Sequence, residues 1–309
     1  MDINSVMKQD IQSKEKCKNK DIDFEIEYKK ATTLKEKIVL VIRHILLAGI
    51  SVITFFPFIW MFFSAFKTKD EIFSTGFNLI PSSFNFNNFI NVFKEAPFEV
   101  YLGNSLFVAT IEVLFQVFSA AMIAYALTQF KFKGRKILFA VIMCTYMLPS
   151  AVTYVPCYIM LSKFNLIDTL TGIIVSNLCN VFGIFLLRQA FLQVDKSLIE
   201  AARIDGASHF KILWKIIFPL TKPTFITFAL ISFVTYYNEY MYPSLITKSP
   251  EKFLVSAGLR QFFIQGGAYG IKWPEVMAAS TITVLPLLLL FLFAQKWFMR
   301  GVGDSGVKE

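Results

Sequence analysis

The stretch SLIEAARIDGASHFKILWKIIFP, at Ser197–Pro219, is polar and carries helix signals, yet it lies between long apolar segments. Ser197 and Glu200 have the spacing of a capping box, in which the serine oxygen accepts a backbone N–H and the glutamate reaches back to the cap. Asp205 and Gly206 predict the end of this first helix, because glycine adopts the left-handed conformation without a Cβ penalty.

A second helix is predicted directly after the first. Ser208 is placed to cap it, and Pro219 is expected to end it. Its apolar residues recur at i, i+3, i+4 and i+7. These residues are Phe210, Leu213, Trp214 and Ile217. The stretch therefore predicts a bent helix pair on a membrane surface, either as a docking element for a partner or as an ordinary amphipathic connector.

Composition sets the class of protein. The chain has 309 residues, of which 55% are hydrophobic, and it contains 35 Phe. Its charged fraction of 17% is below the roughly 25% of soluble domains, which predicts an integral membrane protein. The formal charge of +9 is spread between apolar runs, which indicates membrane topology and not nucleic-acid binding. The four cysteines form no disulfide framework and no paired metal-binding motif.

The apolar runs predict an all-α protein with six transmembrane helices. The expected spans are about Ile38–Phe66, Leu102–Leu127, Ile137–Leu161, Leu170–Leu192, Thr224–Leu245 and Glu275–Phe298. Pro149 and Pro156 are expected to kink the third span. Residues 1–36 are predicted to form a polar cytosolic tail, residues 37–299 the membrane domain including the helix pair at 197–219, and residues 300–309 a second cytosolic tail.

The distribution of Lys and Arg predicts the orientation. The two tails, the turn after the second span and the segment around the helix pair carry 23 of these residues, against 8 in the three opposite loops. The positive-inside rule therefore places both termini and the helix pair in the cytosol.

Polar side chains within the apolar spans are the candidates for a solute pathway. Such groups are costly to expose to lipid and are expected to face the bundle interior or a water-filled cavity. They are Glu112, Gln116, Asn177, Asn180, Tyr236, Tyr237, Asn238 and Glu239. A sugar site combines amides or carboxylates with aromatic rings, but the same groups are also able to act only as hydrogen bonds between helices.

The helix pair resembles the conserved loop of the permease subunits of binding-protein-dependent ABC importers. Glu200-Ala-Ala, three residues, Gly206, nine residues, Ile216, one residue and Phe218-Pro219 follow the pattern EAA-x3-G-x9-I-x-L-P, with phenylalanine in place of leucine. The words LIPSSFNFNNF, NSLFVA and YNEYMYP, and the segment KWFMRGVGDSGVKE, are similar to the carbohydrate-uptake branch, of the maltose-type second permease subunit.

The resemblance implies that the pair forms coupling helices seated on a cytosolic ATPase. The residues carried over are Glu200, Ala201, Ala202, Asp205, Gly206, Phe210, Leu213, Trp214, Ile216 and Pro219. It also implies a second permease subunit, two ATPase subunits that use ATP and Mg²⁺, an extracytoplasmic binding protein and a bacterial cell-membrane location. The chain contains no phosphate-binding G-x-x-x-x-G-K-[ST] motif and no enzyme motif, so we expect no catalytic residue, metal or cofactor in it.

The loop before the last span is expected to face the binding protein through Gln265, Gly266, Gly267 and Tyr269. The cargo is expected to be a sugar or oligosaccharide, with glycerol phosphate or another polar solute as the alternative. A self-sufficient secondary transporter is the alternative of a different class. It would require broken helices and paired charges within the membrane.

Overall fold

The computed structural model describes residues 34–74, 78–264 and 270–303. Across these residues the chain forms helices and loops and no strand, which confirms the all-α class. The chain divides into two compact units, one ending at Trp60 and one beginning at Met61.

The helices have the following bounds. They are α1 (Leu34–Ser64), α2 (Lys69–Ile72), α3 (Asn87–Glu95), α4 (Phe98–Gln129), α5 (Arg135–Tyr146), α6 (Ser150–Lys163), α7 (Leu170–Ser176), α8 (Val181–Leu192), α9 (Lys196–Ile204), α10 (His209–Ile212), a π-helix (Leu213–Ile217), α11 (Phe218–Leu220), α12 (Lys222–Tyr237), α13 (Met241–Ile246), a 3₁₀ turn (Pro250–Lys252), α14 (Val255–Ile264) and α15 (Trp273–Gly303).

Three segments of the described chain are single helices long and apolar enough to cross a bilayer, namely Lys37–Ser64, Phe98–Gln129 and Trp273–Gln295. Three further apolar segments are helix pairs with bends of 97° (α5 and α6), 45° (α7 and α8) and 86° (the helix of residues 209–220 and α12). The number of spans is therefore up to six if each bent pair crosses once.

The predicted third span is broken and not merely kinked. Helix α5 ends at Tyr146, and Pro149 is the N-cap residue of α6. A proline cannot continue a helix from the preceding turn because it lacks the N–H and clashes with the carbonyl four residues back. Pro156, by contrast, lies inside α6.

The predicted fifth span is also interrupted. Helix α12 ends at Tyr237, and Asn238 follows as its C-cap residue. The Asn238 side chain donates a hydrogen bond of 2.8 Å to the carbonyl of Val234, so it competes with the backbone for the last turn. The chain resumes as the short α13. The expected continuous span from Thr224 to Leu245 was therefore wrong in its second half.

Helix α4 lies at the centre of the second unit, in contact with α8 and α12. Small residues permit this close packing, as in other membrane helix interfaces. Ala120, Ala121 and Ala124 of α4 are fully buried. On α8, a Cβ added at Gly183 would lie 2.1 Å from the Cζ atom of Phe228 in α12, so this contact leaves no room for a larger residue.

The surface of the described helices is strongly apolar. Large apolar side chains along α1, such as Ile45 and Ile53, are exposed, as are Val152 and Val155 on α6. Soluble monomers rarely expose apolar surfaces of this extent. This pattern agrees with the expectation that the helices face lipid or other membrane subunits.

Asp168 joins two loops that are distant in sequence. Its carboxylate accepts hydrogen bonds from the backbone N–H groups of Lys248, at 2.8 Å, and Ser249, at 2.9 Å, and from the Ser249 hydroxyl. The hydrogen bonds from Ser249 and then Lys248 lower the pKa of Asp168 to about 2. The segment before α7 is thereby fastened to the segment after α13.

Asp168→Asn is expected to weaken this connection. Because the folded-state pKa of about 2 lies below the unfolded value of about 3.9, the carboxylate contributes stability above about pH 4, and this contribution is lost as the pH falls toward 2. The melting temperature of the purified protein in detergent should therefore be lower for Asp168→Asn at pH 7, and the difference from the parent should shrink toward pH 2. Asp70→Asn, at an exposed position of α2, is the control. A difference that stays constant with pH would contradict this interpretation.

Gly183→Ala tests the packing of α8 on α12. The added methyl group would overlap the Phe228 ring, and overpacking of this kind costs about 1–3 kcal/mol. The variant should melt at a lower temperature in detergent. Gly103→Ala in α4 is the matched control, because no atom lies within 4 Å of a Cβ added there. Equal melting temperatures for the two variants would exclude the close contact.

Candidate functional site

The segment from α9 to α11, here called the coupling segment (residues 196–220), begins at a cap that the sequence interpretation missed. Asp195 is the N-cap residue, and its side chain accepts the N–H of Ser197 at 2.9 Å. The hydrogen bond from the Ser197 backbone keeps the pKa of Asp195 below its usual value. The predicted capping box of Ser197 and Glu200 was therefore wrong, because the helix begins one residue earlier, at Lys196.

The predicted end of the first helix is confirmed. Asp205 is the C-cap residue of α9, and Gly206 has a φ of +75°. The N–H of Gly206 donates to the carbonyl of Arg203 at 3.0 Å, and the N–H of Ala207 donates to that of Ala202 at 2.9 Å. These two bonds are those of a Schellman motif, which usually requires glycine at the left-handed position.

The second half of the coupling segment contains an unpredicted π-helix. Ser208 caps α10, as expected, and accepts the N–H of Lys211 at 3.4 Å. The N–H of Phe218 then bonds to the carbonyl of Leu213, five residues earlier. Helical structure continues past Pro219 to Leu220, so the expected end at Pro219 was wrong. Proline is tolerated there because it lies in the first turn of α11.

The π-helix also changes which residues are buried. Ile212 and Ile217 are five residues apart and are both completely buried, because the wider turn brings both to the same side. The predicted stripe is wrong at Phe210, which is 57% exposed. Leu213 is 1% exposed and packs inside the chain, so it supports the segment and is not a surface anchor.

The remaining predicted coupling residues divide by exposure. Glu200, Asp205, Gly206, Phe210 and Pro219 are exposed, Ala201, Trp214 and Ile216 are half-buried, and Ala202 is buried with Leu213. The buried face belongs to a core formed with α4, α8 and α12. The opposite face carries Ile204, which is 87% exposed and which the sequence interpretation did not select. Glu200 forms no ion pair with a described residue.

A second group of predicted residues forms a hydrogen-bonded cluster between α4, the break from α7 to α8, and α12. We call it the polar cluster; its members are Glu112, Gln116, Asn177, Asn180 and Tyr236. Asn177 donates to the Glu112 carboxylate at 3.0 Å, and Asn180 donates to Gln116 at 3.3 Å and to the Tyr236 hydroxyl at 3.4 Å. Glu112 and Gln116 are buried.

The polar cluster also satisfies the backbone at the helix break. Gln116 donates to the carbonyl of Asn177 at 2.6 Å, and Ser119 donates to that of Leu178 at 2.8 Å. The Asn180 side chain accepts the N–H of Gly183 at 3.0 Å as the N-cap of α8. Ser119 was not predicted, and it has no sequence signal beyond its position one turn from Gln116.

Three of the predicted pathway residues lie outside this cluster. Tyr237 is buried and donates to the carbonyl of Thr283 in α15 at 2.9 Å, so it contributes to packing between α12 and α15. Asn238 bonds to its own helix. Glu239 lies after the break, half-buried, without a side-chain hydrogen bond to a described residue. The expected set of eight is therefore only partly brought together. Gln265, Gly266, Gly267 and Tyr269 lie outside the described residues.

No group of three or more His, Cys, Asp or Glu side chains arranged to hold a metal ion occurs among the described residues. The cysteines at 144, 157 and 179 are free thiols.

The comparison with known families addresses the match between this geometry and the motif. The sequence profile described as "Binding-protein-dependent transport system inner membrane component" matches residues 116–304, which is more than half of the chain. The chain belongs to this family. The matched region contains the coupling segment and every residue of the polar cluster except Glu112, so the permease resemblance of the sequence is confirmed.

Two relatives align with this permease over most of their length. It is 29% identical over 281 residues to the arabinooligosaccharides transport system permease protein of Halalkalibacterium halodurans, covering 89% of this chain and 100% of the relative. It is 31% identical over 268 residues to the sn-glycerol-3-phosphate transport system permease protein of Yersinia enterocolitica, covering 85% and 95%.

A solved structure shares the fold. It is a chain of a bacterial ABC transporter involved in the import of the acidic polysaccharide alginate, with a TM-score of 0.75 and 23% identity, and the match covers 86% of the permease and 98% of that chain. The expected ABC importer permease fold is therefore confirmed.

Substitution of Asn180 separates its two roles in the site. Asn180→Ser keeps an oxygen that caps α8 but is too short to reach Gln116 and Tyr236, whereas Asn180→Ala removes both functions. Loss of a helix cap costs about 1 kcal/mol, so thermal unfolding in detergent should show a lower melting temperature for Asn180→Ala than for Asn180→Ser. If both variants melt together, the N-cap hydrogen bond does not contribute to stability.

Proposed function

We propose that this permease is a membrane subunit of an ATP-driven importer of sugars or oligosaccharides, and that its coupling segment docks on a cytosolic ATPase. In this proposal the chain forms half of the pathway together with a second permease subunit. ATP and Mg²⁺ are bound by two ATPase subunits, and an extracytoplasmic binding protein delivers the solute.

The exposed face of the coupling segment carries this proposal. An amphipathic connector turns its apolar face to lipid. Here the apolar face packs into the core of the chain itself, and Ile204 and Phe210 remain exposed beside the charged residues Glu200 and Arg203. Large apolar anchors surrounded by charged residues are typical of protein–protein interfaces. A protein partner therefore fits this surface better than lipid does.

The distribution of basic residues supports a cytosolic position for the coupling segment and for both termini. The basic turn between α4 and α5, with Lys131, Lys133, Arg135 and Lys136, lies at the same end of α4 as the coupling segment. The predicted contact of the loop at 265–269 with the binding protein would then lie on the outer side.

The chemistry of the polar cluster supports a neutral sugar as the cargo over glycerol phosphate. Phosphate groups are usually bound by Arg or Lys. No Arg or Lys side chain of the described residues hydrogen bonds to the cluster, which offers a carboxylate, amides and a tyrosine hydroxyl. These groups match the hydroxyls of a sugar. The relative from Halalkalibacterium halodurans is named for arabinooligosaccharides, which agrees with this choice.

A self-sufficient secondary transporter is disfavoured. The chain has the broken helices of such proteins. However, the ion pairs among the described residues join Lys272 to Glu95 and Glu275, at the start of α15, and not within the bundle. Family membership and the exposed coupling segment have no explanation in that alternative.

Co-purification with the ATPase and solute-stimulated ATP hydrolysis test the proposal. The complex, reconstituted in vesicles with its binding protein, should hydrolyse ATP faster when the sugar-loaded binding protein is present and should accumulate solute only with ATP. Uptake that persists without the ATPase would overturn it.

Gly206 provides a matched pair of variants. No atom lies within 4 Å of a Cβ at this position, so a substitution acts through the φ of +75° alone. A β-branched residue there costs at least about 1–2 kcal/mol, whereas asparagine tolerates it. Gly206→Val should therefore lose ATPase co-purification and ATP-dependent uptake while still inserting in the membrane, and Gly206→Asn should keep most of both. Equal activity of the two variants would show that the geometry of this turn is not required.

A further inference from the structure

Helix α4 contacts the coupling segment at two points. At the first, the Tyr125 hydroxyl and Nδ1 of His209 share a hydrogen bond of 2.9 Å. Tyr125 is buried near the end of α4. The edge of the His209 ring also packs against Phe130, with the ring centres 4.8 Å apart. This bond joins residues that are 84 positions apart, at the beginning of α10.

At the second point, Trp214 stacks on Phe118, with ring centres 6.2 Å apart and the planes 11° from parallel. Phe118 and Tyr125 are seven residues apart and therefore lie on the same face of α4, two turns apart. The buried indole N–H of Trp214 has no hydrogen-bond partner among the described residues, so the ring is held by aromatic contacts. Together, Phe118, Tyr125, His209 and Trp214 form a surface that we call the seat.

The same helix carries the polar cluster. Gln116 and Glu112 precede Tyr125 by nine and thirteen residues, which corresponds to about 14 and 20 Å along a helix. Helix α4 is continuous from Phe98 to Gln129 and contains no proline. It therefore connects the seat to the polar cluster as one rigid element.

The other connections of the coupling segment are less direct. On the α8 side, the chain leaves the helix between Leu192 and Lys196. On the α12 side, it bends by 86° around Thr221. A displacement of the coupling segment passes through a joint on each of these routes, whereas the seat connects it to α4 by side chains.

We propose that Tyr125 and His209 are positioning residues, which transmit a displacement of the coupling segment to α4 and thereby to the polar cluster. This inference rests on the proposed function, because the displacement arises when the ATPase subunits move. The Tyr125–His209 hydrogen bond fixes where α10 sits on α4, and the stack of Trp214 on Phe118 prevents rotation about that point. When the coupling segment moves, Gln116 and Glu112 move with it.

Three substitutions in the reconstituted complex separate the hydrogen bond from the packing. Tyr125→Phe removes the hydroxyl and keeps the ring. His209→Phe keeps a ring against Phe130 and removes the nitrogen, whereas His209→Asn loses the ring and keeps an acceptor near the position of Nδ1. Tyr146→Phe, at an exposed tyrosine of α5, is the control for loss of a hydroxyl. The measurements are ATPase co-purification, ATP hydrolysis and the number of solute molecules imported per ATP hydrolysed.

The expected result is normal co-purification of all variants, with solute imported per ATP reduced about fivefold in Tyr125→Phe and His209→Phe, the factor expected for one lost hydrogen bond. His209→Asn should retain more of the ratio than His209→Phe, and the double variant Tyr125→Phe/His209→Phe should lose no more than either single variant. A role in folding alone would instead lower the amount of complex and leave the ratio unchanged.

Two outcomes would overturn the inference. An unchanged ratio in Tyr125→Phe, with normal co-purification, removes the transmitting role and leaves the proposed function intact. Failure of the parent permease to co-purify with an ATPase, or ATP-independent uptake, removes the proposed function and the inference together. A lower ratio in His209→Asn than in His209→Phe also contradicts the role of the hydrogen bond.

Discussion

The break between α7 and α8 depends on hydrogen bonds from α4. Within an apolar environment, each backbone group freed by a helix break needs a partner inside the protein. Gln116 and Ser119 supply donors for the carbonyls of Asn177 and Leu178, and Asn180 supplies the acceptor for the N–H of Gly183. Without these side chains, the 45° bend would leave unsatisfied groups in the membrane. The arrangement of α4, α8 and α12 around the polar cluster follows from this requirement.

This requirement decides how the polar cluster is read. Some of its hydrogen bonds serve the helix break, as the interpretation as interhelical bonds expects. Others join side chains to one another, such as Asn180 to Tyr236 and Asn177 to Glu112. Bonds of the second kind are exchangeable, since a sugar hydroxyl both donates and accepts. A pathway and a structural support are therefore compatible in one set of residues, and the backbone-directed bonds provide the fixed frame.

Local sequence patterns predicted the parts of the chain that depend on local physics. The left-handed Gly206 and the Ser208 cap follow from backbone preferences that act within a few residues. The start of α9 was misplaced because Asp195 is also a good cap and lies two residues before Ser197. The buried stripe failed because a period of 3.6 residues does not describe a π-helix, and no residue in Leu213–Ile217 announces one.

The contacts that organise the site were not accessible from the sequence. Gln116 with Asn177, Tyr237 with Thr283 and Tyr125 with His209 are separated by 46 to 84 positions, and no local pattern reports such pairings. Composition and spacing identified the polar residues, because burying them in lipid is costly wherever they lie. They did not determine which residues meet.

The π-helix has a further consequence for the length of the chain in this region. Its extra residue keeps Ile212 and Ile217 on the same buried side and sets the direction in which Phe218 and α12 continue. Removal of one residue between His209 and Thr221 would restore an ordinary turn and rotate everything that follows by about 100°. The interval from Gly206 to Pro219 is therefore a fixed length, in which single-residue insertions and deletions are less acceptable than most substitutions.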